Sequence, residues 1–141
     1  MIVYQRTVEL ATRGRGFVDA TREIEAVVAE AGAATGICSV FVQHTSASLV
    51  IQENADPAVL RDLARWMERL APESDRYEHD AEGPDDMPSH LRSAVTRTGE
   101  IVPVSGGQLA LGTWQAIYVW EHRAAAHRRR VVVTVTGLAA T

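Results

Sequence analysis

The last third of the chain constrains the fold most. Four β segments, near 100–104, 108–111, 113–121 and 129–136, are separated only by Gly106-Gly107, by Gly112 and by the segment 122–127. A parallel pair needs a crossover of about a dozen residues or more, and none of these links is long enough. The segments are therefore expected to pair antiparallel. That excludes an alternating βαβ chain and, with it, a doubly wound nucleotide-binding fold.

The first hundred residues supply the remaining elements. Residues 2–10 read as a strand, and Gly14 and Gly16 punctuate a loop. Asp19 is placed to cap a helix over 20–31, where Ile24, Val27, Val28 and Ala31 recur at helical spacing and Gly32 supplies the stop. Residues 36–43 form an apolar, β-branched strand, and 46–52 form another after a break at His44-Thr45. Asp56-Pro57 opens a second helix, a capping residue followed by proline at the first helical position. Val59, Leu60, Leu63, Met67 and Leu70 form its expected buried stripe, and Pro72 ends it. Residues 73–88 lack periodicity and read as a loop, after which Ser89 is placed to cap a short helix over 90–96. The fold class is α+β: a mostly antiparallel β-sheet or sandwich with two main helices and one short helix, in a single domain over 1–141.

Composition supports a packed core. The chain has 141 residues, 46% hydrophobic and 23% charged, which excludes a disordered chain. It is too short for a (β/α)₈ barrel, which takes about 250 residues. Net charge is −4, so a general nucleic-acid binder is not expected. All 14 basic residues are Arg, which removes Schiff-base and lysine-nucleophile chemistry and leaves anion binding to Arg, His or backbone N–H groups. The one cysteine, Cys38, lies in an apolar run and reads as a core residue. The N-terminus has no basic segment leading into an apolar one, and no apolar stretch reaches about 18 residues, so the expected location is cytoplasmic, with no membrane partner.

Polar blocks interrupt this pattern. The segment 72–90 carries Glu73, Asp75, Glu78, Asp80, Glu82, Asp85 and Asp86 against one base, Arg76. Charge alone fits a solvated loop. His79 and His90 inside it, with Pro84 and Pro88 to stiffen it, fit a metal or acid–base site. His44 leads Thr45, Ser46 and Ser48 at the end of a core strand, which reads equally as a turn or as part of a site. Glu53 and Asn54 follow the next strand and could close the same pocket. Arg123, Arg128, Arg129 and Arg130 concentrate positive charge over 122–130, either as a solvated turn or as phosphate ligands. His122 and His127 read as surface residues. Trp114 and Trp120 are candidates for core or subunit contact, and Gln115 faces opposite to Trp114.

Taken together, these blocks resemble the YjbQ family of small bacterial and archaeal proteins. The resemblance rests on His44-Thr45-Ser46-Ala47-Ser48-Leu49, Glu53-Asn54, Asp56-Pro57 with Val59 and Asp62, and Tyr77-Glu78-His79-Asp80 with Glu82-Gly83. It continues through Asp85-Asp86-Met87-Pro88-Ser89-His90, Pro103-Val104, Gly107, Gly112-Thr113-Trp114-Gln115, Glu121-His122-Arg123 and Arg129-Arg130, nearly the whole chain in the family's order. Gln52 departs from it, where the family often has Asn.

The resemblance implies a compact α+β domain that assembles as a homotrimer, with a secondary thiamine-phosphate synthase activity. That reaction joins a pyrimidine-methyl diphosphate to a thiazole phosphate and releases pyrophosphate. The expected catalytic residues are His44, Glu53, His79, Asp86 and His90. Thr45, Ser46, Ser48, Gln115 and Arg129 are expected to bind the phosphorylated substrate. A divalent metal is expected on His44, His79, Asp80 and His90. Phosphate chemistry favours Mg²⁺ and the imidazoles favour Zn²⁺. Two other functions stay open: a different metal-dependent enzyme, such as a hydrolase, and a non-catalytic trimer that binds a metabolite.

Overall fold

Alternation sets the first strand. In β1 (Ile2–Ala11), Val8 and Leu10 face inward while the odd-numbered residues face solvent. In the computed structural model, which describes residues 1–141, the chain continues through β2 (Gly16–Asp19), α1 (Thr21–Ala31), β3 (Thr35–Val42), β4 (Ala47–Glu53), α2 (Pro57–Leu70), α3 (Asp86–Val95), β5 (Gly99–Ser105), β6 (Gln108–Leu109), β7 (Gln115–Glu121) and β8 (Arg128–Leu138). The strands form two sheets, β1-β8-β3-β5-β6 and β2-β7-β4, and their pairings are antiparallel.

The expected α+β class, with its three helices, is therefore what the chain adopts. One core of 19 buried residues joins the inner faces of both sheets to Ile24, Val27 and Val28 of α1. Helices α2 and α3 lie against β4. Cys38 is fully buried within that core, and burial pushes its thiol up to about 11.

Four local expectations are corrected. The late strands do not all pair with their sequence neighbours: β5 and β6 do, but β7 and β8 belong to different sheets. The connection 122–127 carries the chain from one layer to the other. Gly14 and Gly16 do more than punctuate a loop, because Gly16–Asp19 pairs with β7 as β2. Gly14, at φ 107°, lies against the carbonyl of Ala124, where a Cβ would sit 2.6 Å from that oxygen.

Ser89 does not cap the short helix. Helix α3 starts earlier, at Asp86, because Pro88 falls in its first turn, where a missing N–H costs nothing. The expected stripe on α2 is only partly covered. Met67 is buried, Val59, Leu60 and Leu63 are half-buried, and Leu70 is 50% exposed, since one chain leaves an apolar groove between α2, β4 and the end of α3.

The crossing between sheets is held by an ion pair. Glu121 ends β7 and Arg129 lies near the start of β8, and their side chains are 0% and 1% exposed. The Glu121 carboxylate accepts from Arg129 Nε at 2.8 Å, from Arg129 Nη2, from the Thr12 hydroxyl at 2.7 Å and from the Arg123 backbone N–H at 3.2 Å. Burial opposes its charge, but the Arg129 and Thr12 hydrogen bonds prevail and hold the carboxyl below the ordinary glutamate value. Removing one partner strands the other. Arg129→Met should therefore lower unfolding stability by about 3–5 kcal/mol, and adding Glu121→Leu should restore most of it. Urea denaturation of the two variants reads this directly.

Candidate active site

The acidic segment is tied to the sheet crossing by its own carboxylates. Asp85 accepts from Arg123 Nε and from the Ala124 backbone N–H, both at 2.9 Å, and Asp86 accepts from Arg123 Nη1 at 2.8 Å. Ser89, one turn on, donates to the carbonyl of His122 at 2.9 Å. These contacts seat the first turn of α3 on residues 122–124. They make Arg123, absent from the expected site residues, a positioning residue. Its sequence signals are its place directly after Glu121-His122 and its membership of the basic cluster over 122–130, where it answers carboxylates of the same chain.

Seated this way, α3 presents Asp86 and His90 four residues apart on one face, and the loop brings His79 to them. His79 Nε2 lies 2.7 Å from Asp86 Oδ2, and His90 Nε2 lies 3.3 Å from the same oxygen. One ligand atom from each of the three residues falls within 4.8 Å of the others. Asp86 is 4% exposed while the imidazoles of His79 and His90 are partly open to solvent, so both rings turn Nε2 toward a buried carboxylate. The hydrogen bond to Asp86 raises the His79 pKa above its ordinary value. An open cavity of about 560 Å³ adjoins His79 and is lined by Arg76, Tyr77 and Asp80 among others. Two imidazoles and a carboxylate are donor types that suit a three-ligand transition-metal site with a free position, and Arg123 on the second oxygen of Asp86 fixes that carboxylate.

The other expected residues divide. Asp80 is exposed and lines the cavity, but it does not join the His79–Asp86–His90 group, in which Asp86 supplies the carboxylate. His44 lies outside that group too. Its Nδ1 accepts from the Ser46 backbone N–H at 3.1 Å and sits 2.9 Å from the Ser46 hydroxyl, which itself accepts from Arg129 Nη2 at 3.0 Å. Burial and the Arg129 charge lower its pKa. A neutral ring accepting at Nδ1 carries its proton on Nε2, which makes that nitrogen a hydrogen-bond donor.

Arg129 was expected to bind phosphate, and its guanidinium is instead buried against Glu121 and Ser46. Thr45 is exposed in the turn beside His44. Ser48 is buried and bonds His122 Nε2 at 2.8 Å. Glu53 and Asn54 do not close the His44 pocket: Asn54 lies beside Trp114, to whose carbonyl its backbone N–H donates at 2.9 Å, and Glu53 and Gln115 are strand partners. That pair lies at the far end of β4 and β7, about 20 Å along the strand from Glu121, because antiparallel pairing places Ala47, not Glu53, opposite Glu121. Gln115 there accepts from the Gly112 N–H at 2.7 Å, and Trp114 is 61% exposed.

The comparisons with known proteins agree with this fold. The family model described as UPF0047 protein YjbQ-like matches residues 6–138. The chain belongs to the YjbQ/UPF0047 family. A UPF0047 protein of Synechocystis is 52% identical over 135 residues, covering 95% of this chain and 92% of that protein. The UPF0047 protein YjbQ of Escherichia coli O157:H7 is 42% identical over 135 residues, covering 95% and 98%. Among solved structures, a YjbQ/UPF0047 protein of Clostridium acetobutylicum superposes with a TM-score of 0.86 at 32% identity, covering 93% of this chain and 99% of that one. A protein of unknown function from Sulfolobus solfataricus superposes at 0.88 with 26% identity, covering 96% and 97%. No helix of the chain is long and apolar enough to cross a membrane.

His122, expected on the surface, is 1% exposed, and burial, together with the Arg92 charge, drives its pKa to about 3. Its contribution to stability is full above the unfolded value of 6.5 and is lost as pH falls toward about 3. Over that window the loss approaches about 1.4 kcal/mol per pH unit. Urea midpoints between pH 7 and pH 5 should fall more steeply for the wild type than for His122→Gln, and equal slopes would refute a buried neutral imidazole.

Proposed function

We propose that the chain is a metal-dependent enzyme of phosphorylated small molecules, and that its reaction is thiamine-phosphate synthesis with release of pyrophosphate. The observation that carries the reading is the His79–Asp86–His90 group beside an open cavity of about 560 Å³. Two imidazoles favour Zn²⁺ over Mg²⁺ on this group, and metal binding there requires both rings neutral. A divalent ion supplies charge neutralisation for a departing pyrophosphate. Around it, this chain's own residues divide the work. Arg123 holds Asp86, and Arg76 brings positive charge to the cavity wall. The choice of thiamine precursors rests on the family resemblance.

The donor set also favours a second reading, a metal-dependent hydrolase, because two histidines and one carboxylate with a free position suit an activated water. The two reactions differ in what they need. The synthase releases pyrophosphate only when both the pyrimidine diphosphate and the thiazole phosphate are present, while a hydrolase acts on the diphosphate alone. Metal analysis should find about one divalent ion per chain. His79→Ala should lose the ion and abolish turnover. Its melting temperature in chelator should match that of the wild type, since a half-exposed side chain contributes about 0.5 kcal/mol or less. Turnover in His79→Ala equal to wild type would overturn both readings.

We also propose a homotrimer, supported by the outer face of the larger sheet. Val3, Ile37, Phe41, Ile101 and Leu138 are 47–69% exposed there. The charges on that face gather at one end, with Glu9 against Arg128 and Arg130 alongside. A face so apolar suits contact with copies of the same chain. Sedimentation equilibrium should give three times the 15.4 kDa chain mass, and Phe41→Asp with Ile101→Asp should reduce it to one. A wild-type monomer at micromolar concentration would refute the assembly.

A further inference from the structure

Arg92 is the one strongly buried charge in this chain without a carboxylate partner. It is 4% exposed, in the last turn of α3. Its one hydrogen bond runs from Nη2 to the carbonyl of Ala71 at 3.0 Å, which caps the C-terminal end of α2. Its Nε donates to nothing. Asp85, Asp86 and Glu121 face arginines that answer them, and Arg92 faces none of these acids at ion-pair distance.

Arginine does not escape burial by losing its proton. Charged side chains are almost never fully buried unless paired, so this guanidinium calls for an anion. The end of a helix supplies only partial negative charge.

A cavity meets that requirement. Arg92 borders a space of about 150 Å³ whose other charged lining residues are Arg15, Glu68 and Glu121, with Met67 and Trp120 beside them. At about 30 Å³ for each water, the space holds roughly five. That is room for one small polar group and not for a whole thiamine precursor. Arg15 and Arg92 repel each other across it, while the carboxylates of Glu73 and Glu68 act in the opposite sense. Glu73 is bound to Arg15, Glu121 is bound to Arg129, and Glu68 is exposed to water. Glu68 stands on the cavity wall without forming an ion pair to Arg92, so the Arg92 guanidinium is left with no anion in contact.

We propose that the Arg92–Arg15 cavity is an oxyanion site that takes the carboxylate or phosphoryl group of a small ligand. Its lining shares no residue with the cavity beside His79. The Arg15–Glu73 pair stands between them, with Arg15 on one wall and Glu73 on the other. The site is therefore separate from the metal group and does not depend on it.

The test is calorimetric titration of the chelator-treated full chain with inorganic phosphate and, in parallel, with acetate, at constant ionic strength in chloride. Melting curves follow the same titrations, because an anion bound only by the folded state raises the melting temperature. The wild type should bind at least one of the two, and which one binds distinguishes a phosphoryl from a carboxylate ligand. Arg92→Met and Arg15→Gln should each weaken that binding at least tenfold, and His79→Ala should leave it unchanged. Arg92→Met also removes the cap on α2, so if it fails to fold, Arg15→Gln on the cavity rim decides the matter alone. Absence of binding by both anions would overturn the site. So would unchanged affinity in Arg15→Gln, or binding lost in His79→Ala but kept in the arginine variants.

Discussion

The buried Glu121–Arg129 pair is the contact on which the rest of the molecule depends. It lies where the chain leaves the three-stranded sheet at the end of β7 and enters the five-stranded sheet at β8. Thr12 from the end of β1 and Ser46 from the start of β4 bond into the same pair. Four segments from two sheets therefore meet at one satisfied ion pair. A buried ion pair is a weak source of net stability, because desolvation offsets much of the attraction. What it imposes is geometry. A carboxylate accepting four hydrogen bonds has one place to be, and the 122–127 crossing is fixed with it.

Everything proposed as chemistry is anchored to that crossing. Glu121 also accepts from the backbone of Arg123, and Arg123 reaches out to Asp85 and Asp86. His122, between them, is buried against Ser48 and receives Ser89 on its carbonyl. The acidic segment is thus held at its helical end, while the residues before it stay open to solvent around the cavity. Strong like charges in one loop repel one another unless cations answer them, and Arg123 answers two at once. On the other side of the pair, Arg129 fixes the Ser46 hydroxyl, and Ser46 fixes the tautomer of His44. A single ion pair so orients histidine chemistry on both sides of itself.

Much of this was legible in particular residues. Asp56-Pro57 marked the start of α2, and the Asp56 side chain does accept from the N–H of Ala58. Gly32 marked the end of α1 and adopts the left-handed conformation there. His79, His90 and Asp86 were singled out as site residues, and they come together. What misled was local charge. Arg129 and His122 sit in a basic, turn-like stretch that reads as surface, and both are buried, because the partners that neutralise or bond them lie on β7 and β4. Glu53 follows a strand that begins near His44, and distance along that strand carries it away from the site.

The sequence by itself determined most of the strands and helices, though not β2 or the early start of α3, and that the late strands run antiparallel, because those properties depend on spacing and link length within a few residues. It also marked where polar chemistry gathers. Only the tertiary structure decided that β7 and β8 part into different sheets, that Asp86 rather than Asp80 joins the two histidines, and that Arg92 is buried without an acid beside it. Each of those outcomes turns on which distant groups share a low-dielectric space. Desolvation and pairing are set by neighbours in three dimensions, and neighbours tens of residues apart along the chain leave no periodic trace in it.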